Sequence, residues 1–197
     1  MRLDFRHSRF LTSATGLADL PPDRGRGVAF SGRSNAGKSS ALNAITGVSG
    51  LARVSKTPGR TRLINLFTVA GDMRLVDLPG YGYAKVPRAE QARWGEMLET
   101  YLSGRGCLAG LVMIMDVRHP LTDFDRQLLD FAGPLSLPVH VLLSKSDKLG
   151  RGAGQQALAA VKRGLMARAS VQLFSSLSGQ GVEEAQRLVA GWLEEKK

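Results

Sequence analysis

The stretch Gly32-Arg-Ser-Asn-Ala-Gly-Lys-Ser-Ser40 has the residue types and the spacing of a phosphate-binding loop. Its glycines allow backbone N–H groups to converge on phosphate oxygens, and a helix N-terminus after the loop adds a favourable dipole. We expect Lys38 to reach the β- and γ-phosphates of a nucleotide and Ser39 to bind Mg²⁺ directly. The alternative is a glycine-rich turn capped by serine. The residues predicted to cradle the phosphates are Gly32, Arg33, Ser34, Asn35, Ala36, Gly37, Lys38 and Ser39.

Two further segments could complete a phosphate and Mg²⁺ site. Asp77-Leu-Pro-Gly80 follows an apolar run, so Asp77 could serve the outer coordination shell of Mg²⁺ and the Gly80 N–H could meet the γ-phosphate. A plain turn is the alternative. In the segment from Thr57 to Thr61, Thr61 is the predicted second direct Mg²⁺ ligand, and Thr57 is the less favoured choice. The residues predicted to take part in catalysis are Lys38, Thr61 and Gly80. The predicted nucleotide-binding residues also include Gly59, Arg60, Leu78 and Pro79.

A third group of residues can distinguish guanine from adenine. Asp147, in Ser144-Lys-Ser-Asp147, could accept hydrogen bonds from the ring N–H and the exocyclic amine of guanine, a donor pair that adenine lacks. The stem of Lys145 would pack over the base. An exposed aspartate at a helix start is the alternative interpretation. A later turn could donate backbone N–H groups to the guanine carbonyl. The predicted base-side residues are Ser144, Lys145, Ser146, Asp147, Phe174, Ser175 and Ser176.

The elements around these motifs alternate between short apolar runs and helical stretches. Strands are predicted at 28–30, 63–69, 73–76, 108–115, 139–143 and 171–174. Helices are predicted near 38–47, 88–103, 122–132, 155–169 and 182–195. This order predicts an α/β P-loop domain with a mostly parallel central sheet, one antiparallel edge strand and helices on both faces. We expect residues 1–26 to form an N-terminal arm that packs on the core and residues 27–195 to form the nucleotide-binding domain.

Composition narrows the class of partner. The net charge is +10, which attracts polyanions, although a basic surface can also serve solubility alone. Basic residues concentrate at 53–62 and at 145–168, whereas aromatic residues make up only 6% of the chain, which favours contact with structured RNA over base stacking on single strands. One cysteine, Cys107, excludes an internal disulfide, and we expect a cytoplasmic protein without a secretion signal, zinc site or membrane span.

Taken together, the motifs resemble the EngB family of the TrmE-Era-EngA-EngB-Septin-like GTPase superfamily. The matching segments are Gly32–Ser40, Lys56-Thr-Pro-Gly-Arg-Thr61, Leu63-Ile-Asn-Leu-Phe67, Val76-Asp-Leu-Pro-Gly-Tyr-Gly-Tyr83, Asp116-Val-Arg-His-Pro120 and Phe174-Ser-Ser176. The resemblance implies a Mg²⁺-dependent GTPase that switches between GTP and GDP during assembly of the large ribosomal subunit and is linked to cell division and septation. We expect ribosomal RNA and proteins as partners, no DNA, and a monomer. The family's guanine motif usually begins with Thr or Asn; Ser144 retains the hydroxyl, so guanine specificity should be kept.

Two positions bear on catalysis. Tyr81 stands where Ras-like enzymes have the glutamine that positions water, so either its ring is turned away or another group orients the water. We therefore expect slow intrinsic hydrolysis. GTPases resembling the MnmE group use an asparagine at the position of Asn35 to help bind K⁺, so Asn35 is a candidate K⁺ ligand. The alternative is that its amide caps the loop.

Three other functions compete with the switch. An ATP-using P-loop kinase lacks an evident lid or acceptor site and conflicts with Lys145 and Asp147. A non-hydrolytic RNA-binding module is favoured by the charge, but the sequence contains no base-reading motif. A membrane-associated division factor is the least favoured, because nothing in the sequence predicts an anchor.

Overall fold

The computed structural model describes residues 3–53, 63–81 and 88–195. Within these ranges, seven strands form one sheet in the order β1-β3-β4-β2-β5-β6-β7. The strands are β1 (Arg9–Ala14), β2 (Arg26–Gly32), β3 (Ile64–Ala70), β4 (Met73–Asp77), β5 (Leu108–Asp116), β6 (Val139–Ser144) and β7 (Ser170–Leu173). The helices are α1 (Lys38–Thr46), α2 (Arg88–Gly104), α3 (Asp123–Ala132), α4 (Arg151–Gly164) and α5 (Val182–Glu194).

The sheet is mostly parallel. Strand β3 runs antiparallel to both of its neighbours, β1 and β4, whereas the ladders β4-β2, β2-β5, β5-β6 and β6-β7 are all parallel. The predicted fold class is therefore confirmed, and the predicted hairpin is formed by β3 and β4. Because parallel strands point their carboxyl ends the same way, the loops after β2, β4, β5, β6 and β7 gather at one edge of the sheet, where ligands bind in open α/β folds.

Helices cover both faces because successive side chains of the central strands point in opposite directions. On β5, Leu111, Met113 and Met115 belong to one buried cluster and Val112 and Ile114 belong to the other. The first cluster packs against α2, α3 and α4, and the second packs against α1 and α5. Both faces of the sheet are thus held by apolar contacts, which fixes the strand ends that carry the motifs.

Two elements differ from the sequence-based expectation. The arm contains a strand, β1, that was not predicted, because a register shift between Phe10 and Thr12 breaks the alternation of its side chains. Helix α4 begins at Arg151 rather than near 155 and ends before the left-handed residues Met166 and Ala167. Across the described ranges, no helix combines the length and the apolar character needed to cross a membrane.

Candidate nucleotide-binding site

The loop between β2 and α1 has the backbone of a phosphate cradle. Gly37, at φ 98°, adopts a left-handed conformation that side chains rarely tolerate, and Asn35 is also left-handed at φ 62°. Gly32 needs to be glycine for a different reason, because a Cβ atom there would lie only 2.7 Å from the carbonyl oxygen of Ile114 on β5. The first glycine of the loop thus allows the loop to pack closely against the neighbouring strand.

The N-terminus of α1 suits an anion. An α-helix leaves the N–H groups of its first turn without intrahelical acceptors. Gly37 has no side chain to cap them, and the first turn of α1 contains no acidic residue. These donors and the helix dipole therefore face the loop without a compensating negative charge, which is the arrangement that binds phosphate.

Lys38 and Asp77 meet beneath the loop. The Lys38 ammonium donates a hydrogen bond to Asp77 Oδ1, and the two side chains are only 13% and 8% exposed. Burial of an ion pair costs solvation free energy that is recovered only when each charge keeps a partner. A nucleotide phosphate and its counter-cation would offer each of these two side chains an alternative partner of the correct sign.

The segment after β4 lies against the loop. The backbone N–H of Ser34 donates to the Tyr81 carbonyl at 2.8 Å, and the Tyr81 N–H donates to the Gly32 carbonyl at 3.3 Å. Between these residues, a Cβ atom on Gly80 would lie 3.6 Å from the Ser34 nitrogen. The Gly80 backbone is therefore next to the phosphate cradle, where its predicted contact with a γ-phosphate requires it.

The Tyr81 ring is turned away from the cradle and into the core. Its hydroxyl donates to Asp125 Oδ1 at 2.5 Å, its ring centroid is 5.0 Å from that of Trp94, and the residue is 3% exposed. Burial and the neighbouring Asp125 carboxylate raise the pKa of the Tyr81 hydroxyl well above its usual value. The hydroxyl is thus a neutral donor committed to Asp125, so in this conformation it has no access to an attacking water.

The base-side segments are joined to the loop and to each other. The Ser144 hydroxyl lies 2.5 Å from the Ala36 carbonyl oxygen, and the Lys145 ammonium donates to the Asn35 carbonyl at 2.6 Å. The backbone N–H of Ser146 donates to the Phe174 carbonyl at 3.1 Å. Ser144, which replaces the family's usual Thr or Asn, therefore uses its hydroxyl to connect the base side with the phosphate loop.

Asp147 is oriented by Ser175. The Ser175 hydroxyl donates to Asp147 Oδ1 at 2.6 Å and so lowers the pKa of that carboxyl, which keeps it an acceptor. The Ser175 N–H is itself engaged with the Gln180 carbonyl at 2.9 Å. The Ser176 N–H, by contrast, makes no hydrogen bond with another described residue. Ser176 thus has a donor available for a base carbonyl beside the carboxylate of Asp147.

Some site residues were not assigned a role by sequence reasoning. Asp116, Arg118 and His119, at the end of β5, line a cavity of about 240 Å³ with Asn35 and Lys145. The signal that could have found them is topological, because an acidic residue at the end of one parallel strand lies beside the end of the next. The remaining lining residues are Arg33, Ser34, Ala36, Met115 and Asp125.

Asn35 is exposed, and its side-chain amide forms no hydrogen bond within the described part of the chain. Its left-handed backbone is one that asparagine tolerates well. The structure therefore contains no capping bond from this amide to a described loop residue, and the amide oxygen is available to a ligand.

The structure thus brings together most of the predicted residues at the carboxyl edge of the sheet. These are residues 32–39, 77–80, 144–147 and 174–176. Gly59, Arg60 and Thr61 lie outside the described residues. The uncapped α1 N-terminus and the Lys38–Asp77 pair fit a nucleotide phosphate with Mg²⁺, because each supplies charge of the sign that such a ligand needs.

Comparison with known proteins agrees with this geometry. A family model described as "50S ribosome-binding GTPase" matches residues 27–145. The chain is 50% identical over 191 residues to a probable GTP-binding protein EngB of Coxiella burnetii, a match that covers 95% of this chain and 93% of that protein. It is 54% identical over 193 residues to the probable EngB of Azoarcus sp., with coverage of 96% and 92%.

A solved structure has the same fold. The crystal structure of a probable GTP-binding protein engB superimposes with a TM-score of 0.70 at 21% identity, covering 86% of this chain and 100% of that chain. At this identity the superposition establishes the architecture, whereas the sequence relatives establish the family.

Proposed function

Because the chain belongs to the EngB family of GTPases, we propose that it hydrolyses GTP with the help of Mg²⁺ and acts as a switch in assembly of the large ribosomal subunit. The observation that carries this proposal is that the phosphate loop contacts the segment that contains Asp147. The Lys145 ammonium donates a hydrogen bond of 2.6 Å to the Asn35 carbonyl. By the same family resemblance, we propose a role in cell division and septation and a cytoplasmic location.

The residue roles follow from the chemistry of each position. Lys38 leaves its pair with Asp77 to bind the β- and γ-phosphates, and the Gly80 N–H donates to the γ-phosphate. Ser39 and Thr61 would hold Mg²⁺ directly, with Asp77 in its outer coordination shell. When bound, Mg²⁺ neutralises the charge that develops on the phosphate oxygens. Asp147 and Ser176 read the base, and Lys145 packs over it.

Replacement of Lys38 tests the hydrolytic role. Lys38→Ala removes the cation at the transferred phosphate, so kcat should fall about 100- to 1,000-fold, a range typical for loss of one preorganised charge or donor. Arg187→Ala, at an exposed cation on α5, is the control and should leave kcat unchanged. No turnover by the native chain, or turnover that Lys38→Ala leaves unchanged and that therefore comes from a contaminant, would favour the non-hydrolytic RNA-binding module. Competition by ATP as strong as by GTP would favour the kinase.

Slow intrinsic hydrolysis is part of the proposal, because the Tyr81 hydroxyl is bonded to Asp125 and no glutamine follows Gly80. Asn35 is the candidate K⁺ ligand that would compensate for the missing group. GTP turnover should therefore be faster in K⁺ than in Na⁺ for the native chain and equal in both salts for Asn35→Ala. Equal rates in both salts for the native chain would discard the role of K⁺.

The proposed partner is ribosomal RNA with its bound proteins, and α4 offers one surface for it. Residues 148–182 contain no Asp or Glu but five Lys or Arg residues. Of these, Arg151, Lys162 and Arg163 are exposed, while Lys148 and Arg168 pair with acids outside the segment. The charge supports contact with phosphates, and Arg53, at the start of the basic segment 53–62, adds a further exposed cation.

Co-sedimentation with large-subunit precursors tests the partner. We expect more binding with a non-hydrolysable GTP analogue than with GDP, and weaker binding at higher salt. Exchange of Arg151, Lys162 and Arg163 for Gln should reduce the salt dependence, by about 0.7 to 0.9 in logarithmic slope for each lost phosphate contact. The same exchange at Arg6, Arg9 and Arg24 is the control. Binding that ignores both nucleotide and salt would refute the switch.

A further inference from the structure

Asp116 lies at the point where three functional segments meet. It is the last residue of β5, and the parallel register pairs it with Ser144, the last residue of β6. The residue after Ser144 is Lys145, which the proposed function places over the guanine base. Asp116 is therefore adjacent to the base-side segment, although it is about 30 residues away in the chain.

The Asp116 carboxylate holds the Lys145 ammonium. Asp116 Oδ2 lies 3.0 Å from Lys145 Nζ, and the same Nζ lies 2.6 Å from the Asn35 carbonyl oxygen. The ammonium thus has two acceptors, one from β5 and one from the phosphate loop. With two fixed acceptors, the long Lys145 side chain has much less freedom to leave the base position.

Arg118 in turn holds the carboxylate. Its Nε and Nη2 atoms donate to Asp116 Oδ1 and Oδ2 at 2.9 and 2.6 Å, and its backbone N–H donates to Oδ1 at 3.1 Å. The hydrogen bonds from Arg118 and from Lys145 lower the pKa of Asp116. The Asp116 side chain is 15% exposed. The carboxylate is therefore charged and fixed in orientation at neutral pH.

The backbone also requires this support. Lys145, at φ 59°, is left-handed without being glycine, a conformation that costs free energy and persists only where contacts enforce it. The hydrogen bond from Lys145 Nζ to the Asn35 carbonyl oxygen is one of these contacts. Loss of the carboxylate would remove one anchor of Lys145 and leave its ammonium near the Arg118 guanidinium, with nothing to separate the two positive charges.

We propose that Asp116 is a positioning residue for guanine nucleotides, which holds Lys145 in the conformation that packs over the base. This inference rests on the proposed role of Lys145. Asp116 itself makes no contact with the nucleotide in this scheme. It acts through Lys145, and Arg118 acts through Asp116.

The first test is the Kd of GDP measured by isothermal titration calorimetry. Asp116→Ala should raise the Kd about 10-fold, the size expected when a charged hydrogen-bond partner is removed. Asp130→Ala is the matched control, because Asp130 also accepts from an arginine at 2.6 Å but is 66% exposed and is not among the residues that line the cavity. The control should change the Kd less than about 2-fold. An equal Kd for Asp116→Ala and the native chain would overturn the proposal.

A double-mutant cycle separates positioning from a general structural effect. If Asp116 acts through Lys145, then Asp116→Ala should change the Kd less than about 2-fold in a Lys145→Ala background. Additive effects of the two changes would overturn the proposal. Asp116→Asn, which keeps an acceptor oxygen, should lie between the native chain and Asp116→Ala, and it replaces the alanine variant in the cycle if thermal unfolding shows that the latter does not fold.

Failure of the proposed role of Lys145 gives a different result. In that case Lys145→Ala alone would leave the Kd of GDP unchanged, which would overturn both assignments. Weak binding by Lys145→Ala together with an additive cycle would overturn the role of Asp116 alone.

Discussion

The base side and the phosphate side of the site differ in how their polar groups are satisfied. On the base side, Asp147 is oriented by Ser175, and Lys145 is held by Asp116 and the Asn35 carbonyl. On the phosphate side, Lys38 and Asp77 are paired with each other. The base side has its polar groups already oriented, whereas under the proposed function the phosphate side would exchange an internal ion pair for contacts with the ligand.

This difference indicates which half of the site would select the nucleotide base and which half would respond to the phosphates. A group oriented before binding contributes specificity, since little ordering remains to be done when the base arrives. A buried ion pair that separates on binding couples the nucleotide to the segments that carry its members. Lys38 begins α1 and Asp77 ends β4, so under the proposed function both elements would respond to the phosphates.

The largest expected effect comes from Asp147→Asn on the base side. An amide NH₂ in place of one carboxylate oxygen can no longer accept from the guanine amine, so the Kd of GTP should rise about 100- to 1,000-fold, as in sites that lose a buried polar partner. Xanthosine triphosphate, which has a carbonyl in place of that amine, should bind the variant better than GTP does. Competition binding with both nucleotides measures the exchange.

A suitable control for this change is Asp123→Asn at the start of α3, which removes the same charge away from the base-side segments. It should leave the preference for GTP intact. Retention of tight GTP binding by Asp147→Asn would contradict the assignment of Asp147 as the guanine reader.

On the phosphate side, Tyr81→Phe should separate stability from catalysis. The change removes the donor to Asp125, which is 1% exposed, so the free energy of unfolding should fall by about 1 to 3 kcal/mol. Because the hydroxyl faces Asp125 rather than the cradle, GTP turnover per folded molecule should change less than about 3-fold. Urea unfolding and single-turnover hydrolysis provide the two measurements.

Tyr101→Phe, at another buried tyrosine, is the control for loss of a hydroxyl in α2. If turnover by Tyr81→Phe fell by two orders of magnitude while Tyr101→Phe kept its rate, the ring of Tyr81 would have to reach the phosphates in the active state.

The smallest expected effect is a pH dependence of stability that originates at the amino end of β6, the strand that leads to the base side. His140 on β6 is buried, and burial lowers its pKa. Gln172 donates its amide N–H to the Gly181 carbonyl, so its oxygen accepts from His140 Nε2 at 2.9 Å. This hydrogen bond raises the pKa of His140, but burial has the larger effect, so the folded state favours neutral His140. The unfolded state takes up a proton near pH 6.5.

Stability should consequently decrease as the pH falls below about 6.5, by at most about 1.4 kcal/mol per pH unit until the folded-state pKa is reached. Urea unfolding between pH 7.5 and 5 measures this slope above the range in which carboxylates titrate. His140→Gln should abolish most of the slope, and the same slope in that variant would assign it to other groups.

The sequence predicted the parts of the site that depend on local pattern. Glycine spacing identified the cradle, and apolar runs located the strands that end at Asp77 and Ser144, because those strands are buried on both faces. The fold class followed from the alternation of strands and helices. These features need only neighbouring residues, so one sequence contains them.

The rest depended on contacts between distant segments. The Tyr81–Asp125 and Asp116–Lys145 pairs join residues on separate elements, and residue type alone does not specify which carboxylate meets which donor. The start of α4 was misplaced because glycines argue against a helix. Gly154 is buried in α4, where a Cβ atom would lie 3.5 Å from a methyl of Leu173 on β7, so packing of the helix on the sheet outweighs the low helix propensity of glycine.

The bulge in β1 has a consequence for the protein in concentrated solution. In the described chain, β1 is one end of the sheet, and it exposes Phe10 and Leu11, which could invite a strand from another molecule. The register shift between Phe10 and Thr12 interrupts the regular ladder along this edge. At the other end, β7 is only four residues long. Both borders of the sheet are thus poor templates for growth into a continuous intermolecular sheet, which favours separate molecules over fibres.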